Sequence, residues 1–366
     1  MPMLCCITRN NIFDFALKVF LLICPLAYIG GTPAKDVQLQ FFIIGVMTLL
    51  GLSLIAEPRR IYSNIWIGLF LLCTILNVMA YKLHPKVIGG ATPIFLGILL
   101  FYLIITYADN VQSYVNWLLL FIPLNFVMVI LQLTGYDFIN DKIGGICGLM
   151  MSPSHLGTLM VLLIPLALIK KRWLVIPALF CIIASKSITP MIGLAGALGF
   201  YYWHKKRPKF LIASFVIFAI TIPIILNTYA YAKLKLLGRL EIWEQTLQWA
   251  FTKPLYGMGL NSFPEIARTM ESWQGLWEVP QNIYLGVLFA LGIPALVIVF
   301  CYLSNLYKRA KPYLNNPKVL PFAASIVGLL IIAVGQSSLL FARIFVPAIF
   351  ILVFLEIKLK EVVNEI

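Results

Sequence analysis

Long apolar runs alternate with short polar breaks along most of this chain. At about 20 residues per span, the runs predict about twelve transmembrane helices. They cover 12–30, 39–56, 64–81, 88–107, 114–134, 154–169, 173–185, 188–203, 210–226, 282–303, 319–337 and 341–357. The alternation fails at length only once, from Asn227 to Gln281. That segment holds Lys233, Lys235, Arg239, Lys253 and Arg268, together with Trp243, Trp249, Trp273 and Trp277. A connection this long is uncommon in a compact protein and usually functional. Inside it, Leu240, Trp243, Leu247 and Phe251 recur at helical spacing and predict an amphipathic helix with one apolar stripe. Lys253-Pro254 ends that helix, because the residue before proline is pushed out of the helical region. The expected architecture is an all-α integral membrane protein, with residues 1–366 as one polytopic unit. Its one large loop, 227–281, carries short amphipathic helices between the ninth and tenth spans.

Composition agrees with this pattern. The chain is 61% hydrophobic and 11% charged, which excludes an ordinary soluble domain. A net charge of +14 invites a nucleic-acid reading. However, the cations lie in breaks between spans, where the positive-inside rule accounts for them. Alternate breaks hold Arg59-Arg60, Lys170-Lys171-Arg172, Lys205-Lys206-Arg207 with Lys209, and Lys308-Arg309 with Lys311 and Lys318. The short breaks on the other side hold only Lys35, Lys82, Lys86, Lys142, Lys186 and Arg343. This asymmetry implies an even number of spans, both termini cytoplasmic, and the 227–281 loop outside the plasma membrane. No Walker A loop, Gly-rich dinucleotide turn or histidine metal cluster is present, and the seven cysteines are scattered. No cofactor or metal is therefore expected.

Candidate chemistry gathers on the external side. Lys186 interrupts an otherwise uncharged run from Leu179 to Gly199, and an ionisable group at a span edge is a functional hypothesis. Snorkelling to headgroups is its plain alternative. Arg239 opens the loop helix, where pairing with Glu241 or Glu244 is the plain reading. Arg343 begins the last span, and Arg268 closes the polar stretch after the glycines. Together these cations predict a pocket for phosphate oxygens at the outer leaflet, which suits a lipid-linked diphosphate. His155, in Ser152-Pro153-Ser154-His155-Leu156-Gly157, is a candidate proton acceptor or an ordinary helix-start residue.

Four segments between about 145 and 300 carry a resemblance to the O-antigen ligase and O-antigen polymerase superfamily. Ser152-Pro153-Ser154-His155-Leu156-Gly157 resembles its Asn-Pro-Asn-like span entry. Ser185-Lys186-Ser187, followed by Gly193, Gly196 and Gly199, stands where many members have Ser-Arg before a Gly-rich helix. Arg239 to Trp243, with Pro254-Leu255-Tyr256-Gly257-Met258-Gly259 and Phe263, resembles the Arg-x-x-x-Trp and Pro-Leu-x-Gly-x-Gly…Phe motifs of the large loop. Gln281-Asn282-x-Tyr284-Leu285 with Gly292 resembles the His-Asn-x-Tyr-Leu…Gly end of that loop. The resemblance implies a membrane glycosyltransferase that moves a glycan from undecaprenyl diphosphate to an acceptor sugar, without metal or nucleotide sugar. Its implied partners are the lipid-linked glycan, a glycan or glycolipid acceptor and the bilayer. Arg239 and Lys186 carry over as diphosphate-holding residues. Trp243, Arg268, Asn282, Tyr284 and Arg343 are the candidate substrate contacts.

Gln281 departs from the pattern. Relatives similar to this chain have histidine there as the base, and glutamine cannot take up a proton at neutral pH. Three readings follow. Glu278 or His155 serves as base; or the cations stabilise the leaving group while Gln281 only orients the acceptor; or the protein binds without turnover. The missing histidine favours polymerase over ligase. A transporter or flippase of lipid-linked sugars is the alternative from another class. It predicts charges deep in spans and helices broken near the midplane, for which Pro165, Pro177 and Pro223 are candidates.

Overall fold

The computed structural model describes residues 9–26, 35–54, 56, 63–108, 110–136, 146–150, 152–209, 212, 230–268, 279–336 and 342–365, without the side chains of 9–10, 25–26, 35–39, 41, 230–237 and 342–343. The elements in this range are helices: α1 (Arg9–Leu26), α2 (Lys35–Ser53), α3 (Ile65–Ala80), α4 (Pro85–Tyr107), α5 (Val111–Leu119), α6 (Phe121–Leu133), α7 (Pro153–Lys170), α8 (Val175–Ala184), α9 (Ile188–His204), α10 (Ala230–Thr252), α11 (Phe263–Ala267), α12 (Ile283–Ala310), α13 (Leu320–Gly335) and α14 (Ala342–Asn364). Helices therefore stand where eleven of the predicted spans were drawn. Except for Ile212, the ninth, 210–226, lies outside the described residues, as do Glu278, Trp273 and Trp277.

Four helical stretches are long and apolar enough to cross a membrane by length and composition: Pro85–Tyr107, Val111–Leu133, Pro153–Lys170 and Ile283–Tyr313. Helices thus occupy eleven of the twelve predicted positions, and four stretches have full span length among the described residues. The fifth span is split into α5 and α6 at Leu120. Pro123 lacks an N–H for the carbonyl of Leu119, so the hydrogen-bond ladder is interrupted there while Leu120 keeps helical φ and ψ (−64°, −24°).

The core is built round α7, whose side chains from His155 to Ala167 are buried. α13 and α9 pack closely on it and on each other. The glycines of α9 explain this. A Cβ at Gly193 would lie 2.3 Å from Ile332 Cγ1 and 3.0 Å from the Gly328 carbonyl oxygen, and one at Gly196 would lie 2.0 Å from Ile331 Cδ1. The Gly-rich stripe is thus a close-packing surface of the kind small residues form between apolar helices. At the end of α12 away from Asn282, Glu356 of α14 is buried, and Arg309 forks onto it with two 2.7 Å hydrogen bonds.

The loop segment is more helical than expected, because α10 alone runs 23 residues. It ends at Thr252, as Lys253-Pro254 predicts. Three of the four stripe residues, Leu240, Leu247 and Phe251, are exposed, while Trp243 is partly buried. The protein instead buries Ile242, Thr246 and Ala250. Periodicity locates a stripe but not what it faces, and the stripe on the protein side is the mixed one.

Candidate functional site

Several helix ends meet at one end of this bundle. α7 begins there with Ser152 as N-cap, whose Oγ accepts the His155 backbone N–H at 3.3 Å. α8 ends there and α9 begins, across a turn in which Lys186 takes φ 51°. α13 finishes there at Gln336. Gly157 of α7 sits against this turn: a Cβ on it would lie 2.7 Å from Pro190 Cβ and 3.4 Å from Ser185 Oγ. Gly335 is as close to Thr189, with 3.0 Å to Thr189 Cγ2.

Arg239 reaches this cluster from α10. Its guanidinium donates to Thr189 Oγ1 at 3.3 Å, while its Nε is buried with no hydrogen-bond partner. One turn along, the indole Nε1 of Trp243 is also buried and has no partner. Burial lowers the pKa of Arg239 from its ordinary value. Buried donors are nearly always satisfied. Among the described residues, therefore, two buried donors four residues apart on one helix face stand without an acceptor.

Below them lies a buried polar pair. Thr158 and Gln336 are 0% and 2% exposed, and Thr158 Oγ1 lies 3.1 Å from Gln336 Oε1 and 2.8 Å from the Ser154 carbonyl. His155, 6% exposed, is on the same turn as Ser154. The structure thus joins Arg239, Trp243, Thr189, the Lys186 turn and the start of α7. Lys186 itself is exposed, three residues before Thr189.

The described contacts of the other candidates lie elsewhere. Asn282 caps α12, its Oδ1 accepting the Leu285 N–H at 3.0 Å, and Gln281 precedes it at φ 53°. The Tyr284 hydroxyl donates to the Leu330 carbonyl at 3.0 Å, and its ring stacks on Phe300, so its visible contacts are packing contacts. Arg268 is exposed beside Glu265, whose carboxyl is held below its ordinary pKa by the hydrogen bond and charge of Lys86, with smaller contributions from His84 and Arg268. Arg343 begins α14; its side chain lies outside the described residues, and so does all of Glu278.

The glycine motif has a different role from the turn it suggested. α12 breaks at Gly292 (φ 83°, ψ −178°), and the loop 253–260 docks into the break. Met258 N and Gly259 N donate to the carbonyls of Phe289 and Ala290 at 2.6 and 3.2 Å, and Ile293 N donates to the Pro254 carbonyl at 2.8 Å. Gly257 allows the approach: a Cβ there would lie 2.5 Å from the Ala290 carbonyl carbon. Asn77 and Tyr81 of the first half of the chain complete the joint. These residues, with Thr189 and Gln336, are the ones sequence reading missed. The available signal was Asn77 itself, an amide within the apolar run Ile65–Ala80.

What the fold defines is a helical membrane protein in which Arg239, Trp243 and the Lys186 turn form a cationic, donor-rich cluster at one end of the bundle. Residues 142–300 match the family model described as O-antigen ligase, a match over the same segment whose motifs resemble the O-antigen ligase and polymerase superfamily, and one that supports that resemblance. The family suggests a glycan-transfer function at a membrane. The match takes in α7 to α11 and the broken half of α12, and leaves Asn77 and Gln336 outside it. No curated protein matches the chain.

Proposed function

We propose that the protein is an inverting glycosyltransferase of surface-polysaccharide assembly, acting at the outer face of the bacterial plasma membrane. The donor is a glycan on undecaprenyl diphosphate. The orphaned donors Arg239 Nε and Trp243 Nε1 carry this reading, because a diphosphate supplies the oxygen acceptors that both lack. Thr189 orients the guanidinium, and Lys186 adds charge at the mouth. An acceptor hydroxyl attacks the anomeric carbon as the bond to the diphosphate oxygen breaks. The electron pair goes to the diphosphate, where Arg239 stabilises it, and the hydroxyl proton leaves to a base. His155 and Glu278 are the candidates for that base, and Gln281 with Asn282 orients the acceptor. Fixed donors aimed at developing charge need no metal in this scheme.

Among the described residues the transporter reading finds the break at Gly292 and the division at Leu120, while α7 runs on through Pro165 and Pro223 lies outside them. The carbonyls and amides freed at Gly292 are taken up by the protein's own loop and by Asn77, which leaves no open cradle for a substrate.

The test is Arg239→Ala in a reconstituted assay with lipid-linked glycan. Removing one such donor typically lowers turnover by about 10²–10³-fold, and Arg239→Lys should not restore it, since the bidentate fork is lost. Unchanged product length and yield would overturn the assignment.

A further inference from the structure

We infer that Asn77 is a positioning residue, which sets the place of Arg239 and Trp243 by clasping the loop 253–260 to the break in α12. The inference rests on the functional reading above only for its activity readout.

Asn77 lies on α3, 75 residues before Ser152, the first residue of the cluster, and is 1% exposed. Its side chain is used completely at one spot. Nδ2 donates to the Tyr256 carbonyl at 2.6 Å and to the Ala290 carbonyl at 2.8 Å, while Oδ1 accepts the Leu260 N–H at 3.3 Å. One amide therefore ties both sides of the joint: the loop at Tyr256 and Leu260, and the broken helix at Ala290. The carbonyl of Ala290 is available because Gly292 takes φ 83° and the helix ladder stops. Tyr81, one turn further on, donates its hydroxyl to the Gly257 carbonyl at 2.7 Å, and Lys253 lies over its ring at 5.2 Å.

The clasp reaches the pocket through packing. Beyond Leu260 the loop runs into α11, whose Phe263 and Ala267 form one buried cluster with Phe289 of α12 and Ile242 of α10. Ile242 lies between Arg239 and Trp243 on the same helix. The path is therefore Asn77, the loop, Phe263, Ile242 and the two orphaned donors. From the first half of the chain, Tyr81 shares the clasp, and α4 packs on the loop through Val87, Gly90 and Ala91 against Leu260 and through Lys86 paired with Glu265. No other side chain can replace Asn77 here, because the spot needs two donors and one acceptor in a single plane. Aspartate keeps the shape but turns a carboxylate toward two carbonyls.

The experiment uses the full chain in lipid, with two independent readouts. In a cysteine-replaced background, the Leu260→Cys thiol is buried and should react slowly with a membrane-impermeant maleimide. Adding Asn77→Ala should raise its labelling rate on the order of ten-fold, the effect of losing one or two buried hydrogen bonds. Tyr81→Phe removes a single bond of the same clasp, should give a smaller increase, and serves if Asn77→Ala fails to insert. In the glycan-transfer assay, normalised to folded protein, Asn77→Ala should lower kcat by up to about 10²-fold, the cost of a misplacement near 1 Å, and leave KM for the donor within a few-fold. Asn77→Asp should not rescue it. Unchanged labelling in both variants overturns the clasp whatever the enzyme does. Raised labelling with unchanged kcat overturns the positioning role. Raised labelling in a protein whose wild type transfers no glycan sinks the functional reading and leaves the clasp standing.

Discussion

Arg239 burdens the unliganded protein. Its guanidinium is buried enough for its pKa to fall, yet its one described hydrogen bond goes to a neutral hydroxyl, Thr189. A cation whose folded pKa is lowered destabilises the fold wherever it is charged, at every pH below that lowered value. For an arginine this covers the whole neutral range, so the penalty is flat with pH there. Arg239→Met keeps the length of the side chain and removes the charge and the orphaned donor. We expect it to stabilise the ligand-free protein by about 1–3 kcal/mol, equally at pH 6 and pH 8, while lowering transfer by about 10²–10³-fold. Thermal unfolding in detergent at the two values checks this. A destabilised or strongly pH-dependent variant would show that Arg239 is a structural cation.

At the scale of elements, the joint between the loop and α12 depends on glycines at two backbone approaches. Gly292 occupies a region of φ and ψ open essentially to glycine, and a Cβ there would lie 2.7 Å from the Pro254 carbonyl oxygen. Strain of that kind costs of order 1–3 kcal/mol before any clash is counted. The clashing atom is backbone and cannot swing away. Gly292→Ala should therefore lose at least about 2 kcal/mol and free the loop; limited proteolysis between Lys253 and Arg268 reads this directly. Intact resistance to protease would contradict the docking. The same joint explains why the glycine motif was readable as a motif but not as a device. Its partner strand of backbone is α12 itself, which a period-based reading draws as an uninterrupted span.

Across the whole molecule, α12 is anchored at both ends by different chemistry: hydrogen bonds to its own loop near the pocket, and an ion pair to α14 at the far end. Glu356 is 0% exposed on its side chain, and its partner Arg309 is 37% exposed. Removing one partner of a buried pair costs about 3–5 kcal/mol, and the half-open arginine places Glu356→Gln at the low end. Arg309→Met with Glu356→Leu should recover most of that loss, since no charge is then left unpaired. Turnover per folded molecule should not change, because the pair lies at the end of α12 remote from Arg239. Chemical denaturation of the single and double variants tests it; a double variant no better than the single would mean that the pair contributes more than mutual neutralisation.

The sequence by itself determined the class. Apolar runs of span length, a charge pattern confined to the breaks and one long polar segment are properties of composition and order, and they need no contacts to be read. The motif residues from Ser152 to Gly292 were legible for the same reason. Their grouping was not. Only the tertiary structure decided that Arg239 meets Thr189, that Gln336 closes the floor with Thr158, and that Asn77 holds the loop, because each joins residues 50 to 183 positions apart. It also decided which stripe of α10 is covered. Hydrophobic periodicity gives a direction around a helix axis, but the neighbour toward which that direction points is set by how the whole bundle closes. Arg239 is the residue on which the two kinds of information meet: its place in a motif was visible in the chain, and its missing partner only in the fold.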